Sequence, residues 1–342
     1  MSMPYHIVKM QITNPDGVVQ ERDVELQIKE QVEADEAALA EARQAGDHRA
    51  EGELLTKLGV TYNALWLFDK ARDYFYKSLE IAREHGDRGR EALNLGNLGA
   101  LEHTIRRFDQ AIEYYEPALA ISREIGDRQA EGIWLGKLSQ AYRDLENWGQ
   151  AVEGYQDALV IARELGARED ERTHLWNLGY IFGKLGQTER MIECYQGALS
   201  VAQECGDQFD EVSLLRNLGG IYRNLEQLAK AKANFNEALE IAREIENTVA
   251  ESACLGELGM ILFDQGQLEL AIEHLEEAVR IARDDWMERD VGIHLTNLGL
   301  AYCELGDYEK ARQHLQDALP ILDERNSPLA EQVRVELAAM DE

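Results

Sequence analysis

The chain has 342 residues, 45% of them hydrophobic, with 5 prolines and 7% aromatics, a composition that favours an all-helical protein over a fibrous or disordered one. Its 35 lysines and arginines stand against 65 aspartates and glutamates, and the net charge of −30 excludes nucleic acid as the main partner, because neutralising phosphates takes a basic face. Self-repulsion of that size keeps a long, thin molecule soluble and monomeric.

Residues 1–23 stand apart from the remainder of the chain. Two β-prone runs, YHIVKMQI and VVQERDVEL, flank NPDG, with Pro15 suited to the second corner of a turn and Gly17 to the fourth. A small hairpin extension is expected, and pairing of its strands with a second copy is one route to self-assembly. The segment has no apolar run long enough for a signal peptide, and no stretch of the chain approaches a membrane span. Cys194, Cys205, Cys254 and Cys303 form no CxxC pair and suit free thiols in a reducing compartment. The expectation is a cytoplasmic protein with no membrane partner.

From 24 to 46 the composition is strongly helical, but Gln31 and Asp35 occupy places that are small or aromatic further on. A polar capping helix is expected there, closing the first full unit of a stack. From 47 to 326 one pattern recurs. Leu39, Leu79, Leu119, Leu159, Leu199, Leu239, Val279 and Leu319 succeed one another at a constant step of 40 residues. A fixed period of this length marks a solenoid of two-helix units. In each of seven units a first helix carries an apolar stripe at i, i+3, i+4, i+7 spacing, such as Leu135, Leu138, Ser139 and Tyr142. The second helix has small and large residues in alternation, such as Ala151, Tyr155, Ala158 and Leu159, so that the two helices pack closely and antiparallel. Gly-Asp punctuates the units at Gly86-Asp87, Gly126-Asp127 and Gly206-Asp207: glycine ends one helix in the left-handed region and aspartate caps the next. Glu246-Asn247 and Trp286-Met287 break that rule, so those junctions should end less sharply. Residues 327–342 read as a C-terminal capping helix, with Ser327 as cap, Pro328 in the first turn, and Val335, Ala338 and Ala339 continuing the stripe.

The order Leu-x-x-Leu-Gly-x-x-Tyr, then Ala-x-x-x-Tyr/Phe-x-x-Ala, carried in the third unit by Leu135, Leu138, Ser139, Tyr142, Ala151, Tyr155 and Ala158, resembles the tetratricopeptide repeat (TPR) over about residues 47–340. The longer unit, with Gly-Asp in place of the usual proline, is similar to the repeats of Pins/LGN-type scaffolds. The resemblance implies an all-α, right-handed α-solenoid superhelix of antiparallel helix pairs, binding extended peptides or helices in a concave groove lined mainly by the first helices.

Helix geometry places the face opposite the apolar stripe independently of that resemblance. In the fourth unit it carries Trp176, Tyr180 and Lys184, with Arg143 in the unit before and Arg216 and Arg223 in the unit after. Asparagines recur beside it at Asn97, Asn177 and Asn217, with Lys137 at the equivalent place. Acids take over towards the ends, at Glu53, Glu102, Asp264 and Glu304. Tryptophan, tyrosine and arginine dominate interface hot spots, and an asparagine amide can both donate to and accept from a peptide backbone. The expected partner is therefore another protein, bound through an acidic peptide or a C-terminal carboxylate: Trp176 and Tyr180 would form a platform, Arg216 and Arg223 the charge partners, Asn177 and Asn217 the backbone clamps.

No enzyme chemistry stands out. GIWLGK at 132–137 and GYIFGK at 179–184 have three residues between their glycines where a phosphate loop has four, and lack the serine or threonine that comes after its lysine. Pairs such as His274 and His314, or Cys254 and His294, sit on successive units, too far apart to share a metal. The expected function is a non-catalytic interaction scaffold without cofactors; the alternative is a regulatory module sensing a small ligand or signal peptide.

Overall fold

The computed structural model describes residues 11–13, 19–21 and 24–340. Two short strands, β1 (Gln11–Thr13) and β2 (Val19–Glu21), pair antiparallel with Ile12 opposite Gln20. The expected turn at Pro15 and Gly17 lies outside the described residues.

The remaining elements are helices in two compact units, residues 1–166 and 167–342. The first unit holds α1 (Val24–Ala45), α2 (His48–Ala64), α3 (Phe68–Glu84), α4 (Arg88–Thr104), α5 (Phe108–Ile125), α6 (Arg128–Asp144) and α7 (Trp148–Leu165). The second holds α8 (Arg168–Lys184), α9 (Thr188–Cys205), α10 (Gln208–Asn224), α11 (Leu228–Glu244), α12 (Thr248–Asp264), α13 (Leu268–Asp284), α14 (Glu288–Leu305), α15 (Tyr308–Glu324) and α16 (Leu329–Ala339). From α2 to α15 the helices form consecutive antiparallel pairs, and the fold is an all-helical α-solenoid.

Small residues on the first helix of each pair set how closely the second approaches. A Cβ on Gly59 would lie 2.5 Å from the ring of Phe75, and one on Gly99 would lie 2.7 Å from that of Tyr115. These rings are sealed, Phe75 at 1% and Tyr115 at 1% exposure, and so are Ala151, Tyr155 and Ala158 in the third pair. Burial of these side chains, aromatic as far as Phe235 and leucine at Leu275 and Leu315, is a main favourable contribution of each pair.

The junctions between pairs result from local capping. Gly46, Gly86, Gly126, Gly166 and Gly206 all lie in the left-handed region. Asp47, Asp87, Asp127 and Asp207 each accept a hydrogen bond from a backbone N–H three residues on. Glu246 and Trp286 adopt the same left-handed conformation without glycine, and Asn247 caps Ala250 N at 3.0 Å. The Glu246-Asn247 junction is thus as well formed as the others, whereas Met287 lacks a side-chain cap.

The terminal helices differ from the repeats they flank. In α1, Leu39 and Ala42 are buried, while the buried Asp35 carboxylate takes Lys57 Nζ at 2.7 Å and Gln31 Nε2 at 2.9 Å. In α16, Ala330 and Val333 are buried and Val335 is exposed, so the stripe expected at Val335, Ala338 and Ala339 is not the packed one. No second helix pairs with α16 among the described residues, and it turns a different face towards α15, where Arg312 Nη2 donates to Met340 O.

Candidate functional site

The ten residues singled out from the sequence divide between the two units. In the first, Lys137 is exposed on α6 and Asn97 is half-buried on α4, its Nδ2 enclosed with no hydrogen-bond partner among the described residues. Arg143 donates through Nε and Nη2 to Asp144 Oδ1 at 2.9 and 2.7 Å, and His103 Nε2 lies 3.0 Å from Asp144 Oδ2. Arg143 is thus held by its own neighbour, against the expectation of a cation awaiting a ligand. Glu102, expected as an exposed acid, is buried and takes Arg72 at 2.8 Å.

The second unit gathers the rest. On α8, Trp176 and Tyr180 stack at 6.0 Å between ring centres and 8° between planes, and Lys184 Nζ sits 5.3 Å from the Tyr180 ring. The i, i+4 spacing produces that ladder. Trp176 stays 39% exposed and Tyr180 36%. Asn177 departs from expectation. It is buried, and its Nδ2 donates to Thr173 O at 2.8 Å, so it cannot clamp a peptide backbone from the open face. On α10, Arg223 donates to Glu257 Oε2 at 2.6 Å and lies 3.8 Å from Asp264, so neighbouring acids already neutralise it.

Arg216 and Asn217 are different. Arg216 is half-buried and has no hydrogen bond or ion pair among the described residues, and the exposed Asn217 side chain has no hydrogen-bond partner there either. Both line a cavity of about 310 Å³ with Ser213, Gly220, Phe235, Ala253 and Glu257. A second cavity of about 260 Å³ adjoins it across Ser213, walled by Trp176, Leu214, Thr173, Asp210 and Arg172. Arg172 is tied down by Asp207 at 2.5 Å and Asp210 at 2.7 Å. The Asp210 backbone N–H, and then Arg172, hold Asp207 below the usual carboxylate range.

The cavities have a sequence-level cause that the helical-face argument missed. Thr56, Gly96, Gly136, Trp176, Arg216, Gly256 and Thr296 occupy one place on successive first helices. At Gly96 and Gly256 a ring from the next first helix fills it: a Cβ on Gly96 would meet Trp134 at 2.1 Å, and one on Gly256 would meet His294 at 2.4 Å. At Trp176 and Arg216 a large side chain stands in that place, and a cavity lies beside each.

Other chemistry-bearing residues are locked away. Ser252 Oγ donates to Ala278 O and lies 3.1 Å from His294 Nε2, both side chains buried. Burial holds His174 and His294 below the ordinary histidine range and pushes the Cys254 thiol up to about 11. The glycine-lysine segments 132–137 and 179–184 are helical, not loops. Among the described residues no cluster of three His, Cys, Asp or Glu could hold a metal ion, and no helix is long and apolar enough to cross a membrane.

Paired helices with small-on-aromatic packing and a first-helix face that carries the open side chains define an α-helical repeat protein. The family profile described as tetratricopeptide repeat matches residues 90–164, 170–244, 210–284 and 251–324, and the chain belongs to that family. No curated protein matches the sequence. Among solved structures, the chain is similar to BtubC (BKLC) from P. vanneervenii, with 20% identity, a TM-score of 0.54, and 64% of this chain and 92% of that one covered. It is similar also to a signal transduction ATPase with numerous domains (STAND) protein with a tetratricopeptide repeat sensor from Pyrococcus horikoshii, at 22% identity and a TM-score of 0.68. That match covers 92% of this chain and 48% of the Pyrococcus protein, so the chain spans about half its length. Aspartyl phosphate phosphatase F from Bacillus subtilis shares 15% identity with a TM-score of 0.54 over 88% of this chain and 76% of its own. At these identities the likeness is one of fold.

Proposed function

We propose that the chain is a non-catalytic scaffold whose second unit receives an acidic peptide or a C-terminal carboxylate of another protein. Its repeats are of the 40-residue, Gly-Asp-punctuated Pins/LGN-like type, and it works as a cytoplasmic monomer. One observation carries the reading: in a chain of net charge −30, the half-buried Arg216 has no anionic partner among the described residues. The acid lining its cavity, Glu257, is engaged by Arg223, and a carboxylate from outside would supply the partly desolvated guanidinium with a bidentate partner. Asn217 beside it offers a donor and an acceptor to a ligand backbone. Trp176 and Tyr180 supply the rigid apolar area that interface hot spots favour.

A module sensing a small ligand is the second reading, because both cavities could hold one. Their volumes of about 260 and 310 Å³ fall at the low end for drug-sized ligands and suit single side chains better. Affinity capture with the intact chain and with a Trp176→Ala/Arg216→Glu double variant separates the outcomes. The partner retained by the intact chain should be lost by the variant; equal retention by both overturns the assignment.

A further inference from the structure

A charge ladder runs along the edge where second helices end and first helices begin. In the first unit Arg88, the first residue of α4, donates to Glu124 in the last turn of α5 at 2.5 Å, and Arg128 on α6 donates to Glu164 on α7 at 2.7 Å. In the second unit Arg168 repeats the clasp, 2.9 Å from Glu204. Beyond it the acids persist and the arginines stop. The place of Arg88, Arg128 and Arg168 passes to Gln208, Thr248 and Glu288, while that of Glu124, Glu164 and Glu204 stays acidic as Glu244, Asp284 and Glu324. Gln208 Nε2 reaches Glu244 at 3.4 Å, the exposed Asp284 lies 3.5 Å from Arg280 on its own helix, and Glu288 pairs with Arg325.

Apolar groups appear on this edge where the cations leave it. Val249, in the first turn of α12, is 52% exposed, and Trp286, between α13 and α14, is 87% exposed. The corresponding places in the first unit hold Arg49, Gly89 and Gln129, and Gly46, Gly86 and Gly126. Trp286 has a φ of 59°, in the left-handed region that those glycines take without strain. Its turn is pinned, since Trp286 N donates to Arg283 O at 3.2 Å and Met287 N to Ala282 O at 2.9 Å. The indole has no ring contact among the described residues, so a strained, fixed backbone presents a ring that the fold itself does not use.

We infer that the edge of the second unit from α10 to α14 is a second interaction surface, and that it takes a basic segment of a partner protein carrying arginine among apolar residues. None of Gln208, Glu244, Thr248, Val249, Asp284 and Trp286 lines either cavity. The partner's cations stand where the ladder lacks its own, at Glu244 and Asp284. Its apolar side chains cover Val249 and Trp286, and a guanidinium laid on the indole face adds cation–π attraction. Charge selects the sign of the partner: beside Trp286, Arg289 is outnumbered by Asp284, Asp285 and Asp290. The field of the whole chain draws a basic segment in, and the incomplete rungs decide where it settles.

The test uses fluorescein-labelled, C-amidated dodecapeptides that alternate Arg with Leu, Arg with Ser, or Glu with Leu, titrated with the intact chain by fluorescence anisotropy. The Arg/Leu peptide should bind at least about tenfold more tightly than the other two. Trp286→Gly should weaken it at least about fivefold, with a urea midpoint equal to the parent's or higher. Gln208→Arg/Thr248→Arg, which completes the ladder from within, should weaken it about tenfold. Gln110→Arg/Gln129→Arg, the same change of charge at exposed places of the first unit, should change it less than about twofold. Arg216→Gln should leave it unaltered, so this outcome stands or falls separately from the reading of the cavities. Equal losses in the two arginine pairs would reduce the binding to attraction by net charge. Equal affinity for the Arg/Ser peptide, unchanged binding by Trp286→Gly, or a lowered midpoint in that variant would remove the indole as an anchor; any of these overturns the proposal.

Discussion

The joint between α4 and α6 and the joint between α8 and α10 are built from the same two places and come out opposite. At the first, glycine on the earlier helix (Gly96) receives a tryptophan from the later one (Trp134), and the indole ends 7% exposed. At the second, the tryptophan is on the earlier helix (Trp176), the later one brings Leu214, and the indole stays 39% exposed beside a cavity of about 260 Å³. The joint between α12 and α14 repeats the first solution with Gly256 and His294. Which of two helices carries the ring decides whether a joint is filled or left with a cavity beside it.

The sharpest way to break that comparison is to remove each ring. Trp134→Ala should destabilise the chain by about 3–5 kcal/mol, the usual cost of emptying a filled aromatic site. Trp176→Ala should cost less than about 1 kcal/mol, since a half-exposed ring at an open joint leaves no enclosed void. Urea denaturation midpoints of the two variants check this, and equal shifts would mean the joints are not different in kind. Next in size is Gly96→Ala. Its new methyl would sit 2.1 Å from the Trp134 ring, and overpacking of this sort costs about 1–3 kcal/mol. The ring is enclosed and has nowhere to retreat, so the same denaturation series should place this variant between the other two.

A smaller effect appears with pH at the sealed α12–α14 joint. Burial lowers the pKa of His294, and Asp290 and Glu257 offset this only in part. Because the folded-state value is depressed, the unfolded chain binds the proton more readily once pH falls below the ordinary histidine value. Stability is therefore full above that value and declines as pH falls towards the folded-state one. Denaturation midpoints tracked from pH 8 down to pH 5 should fall, and more steeply for the parent than for His294→Leu. Identical slopes would remove His294 from the account.

Much of this was legible in the sequence, and the reasons are physical. Leu135, Leu138, Ala151, Tyr155 and Ala158 are buried where helical spacing put them, because amphipathic periodicity is local information. The aspartate caps at Asp87, Asp127 and Asp207 were equally visible for the same reason. What stayed hidden depends on partners distant in the chain. Arg223 reads as a binding cation until Glu257, 34 residues on, is seen to hold it. Asn177 reads as a surface clamp beside Trp176, yet a rotation of one residue about the helix buries it. Arg106, Glu146 and Glu226 take left-handed conformations in the turns within pairs, where no glycine announces them. The cavities were hidden too, because they emerge when one place is compared across units and not from any single helical face.

The smallest expected change in stability is at Arg216, the residue proposed to carry recognition. Arg216→Gln removes a half-buried charge that has no partner among the described residues, so no ion pair is broken and no carboxylate is left stranded. The guanidinium's own desolvation cost disappears with it, and the variant should match the parent or exceed it by up to about 1 kcal/mol. Arg72→Gln supplies the contrast. Its carboxylate partner Glu102 is buried, and losing the arginine leaves that charge with only Arg107 at 3.5 Å among the described residues. That change should destabilise by about 3 kcal/mol, in the range for breaking one side of a buried pair. Denaturation midpoints of the two variants, measured side by side, decide the matter: an Arg216→Gln loss as large as that of Arg72→Gln would show that Arg216 holds the fold together and is not waiting for a ligand.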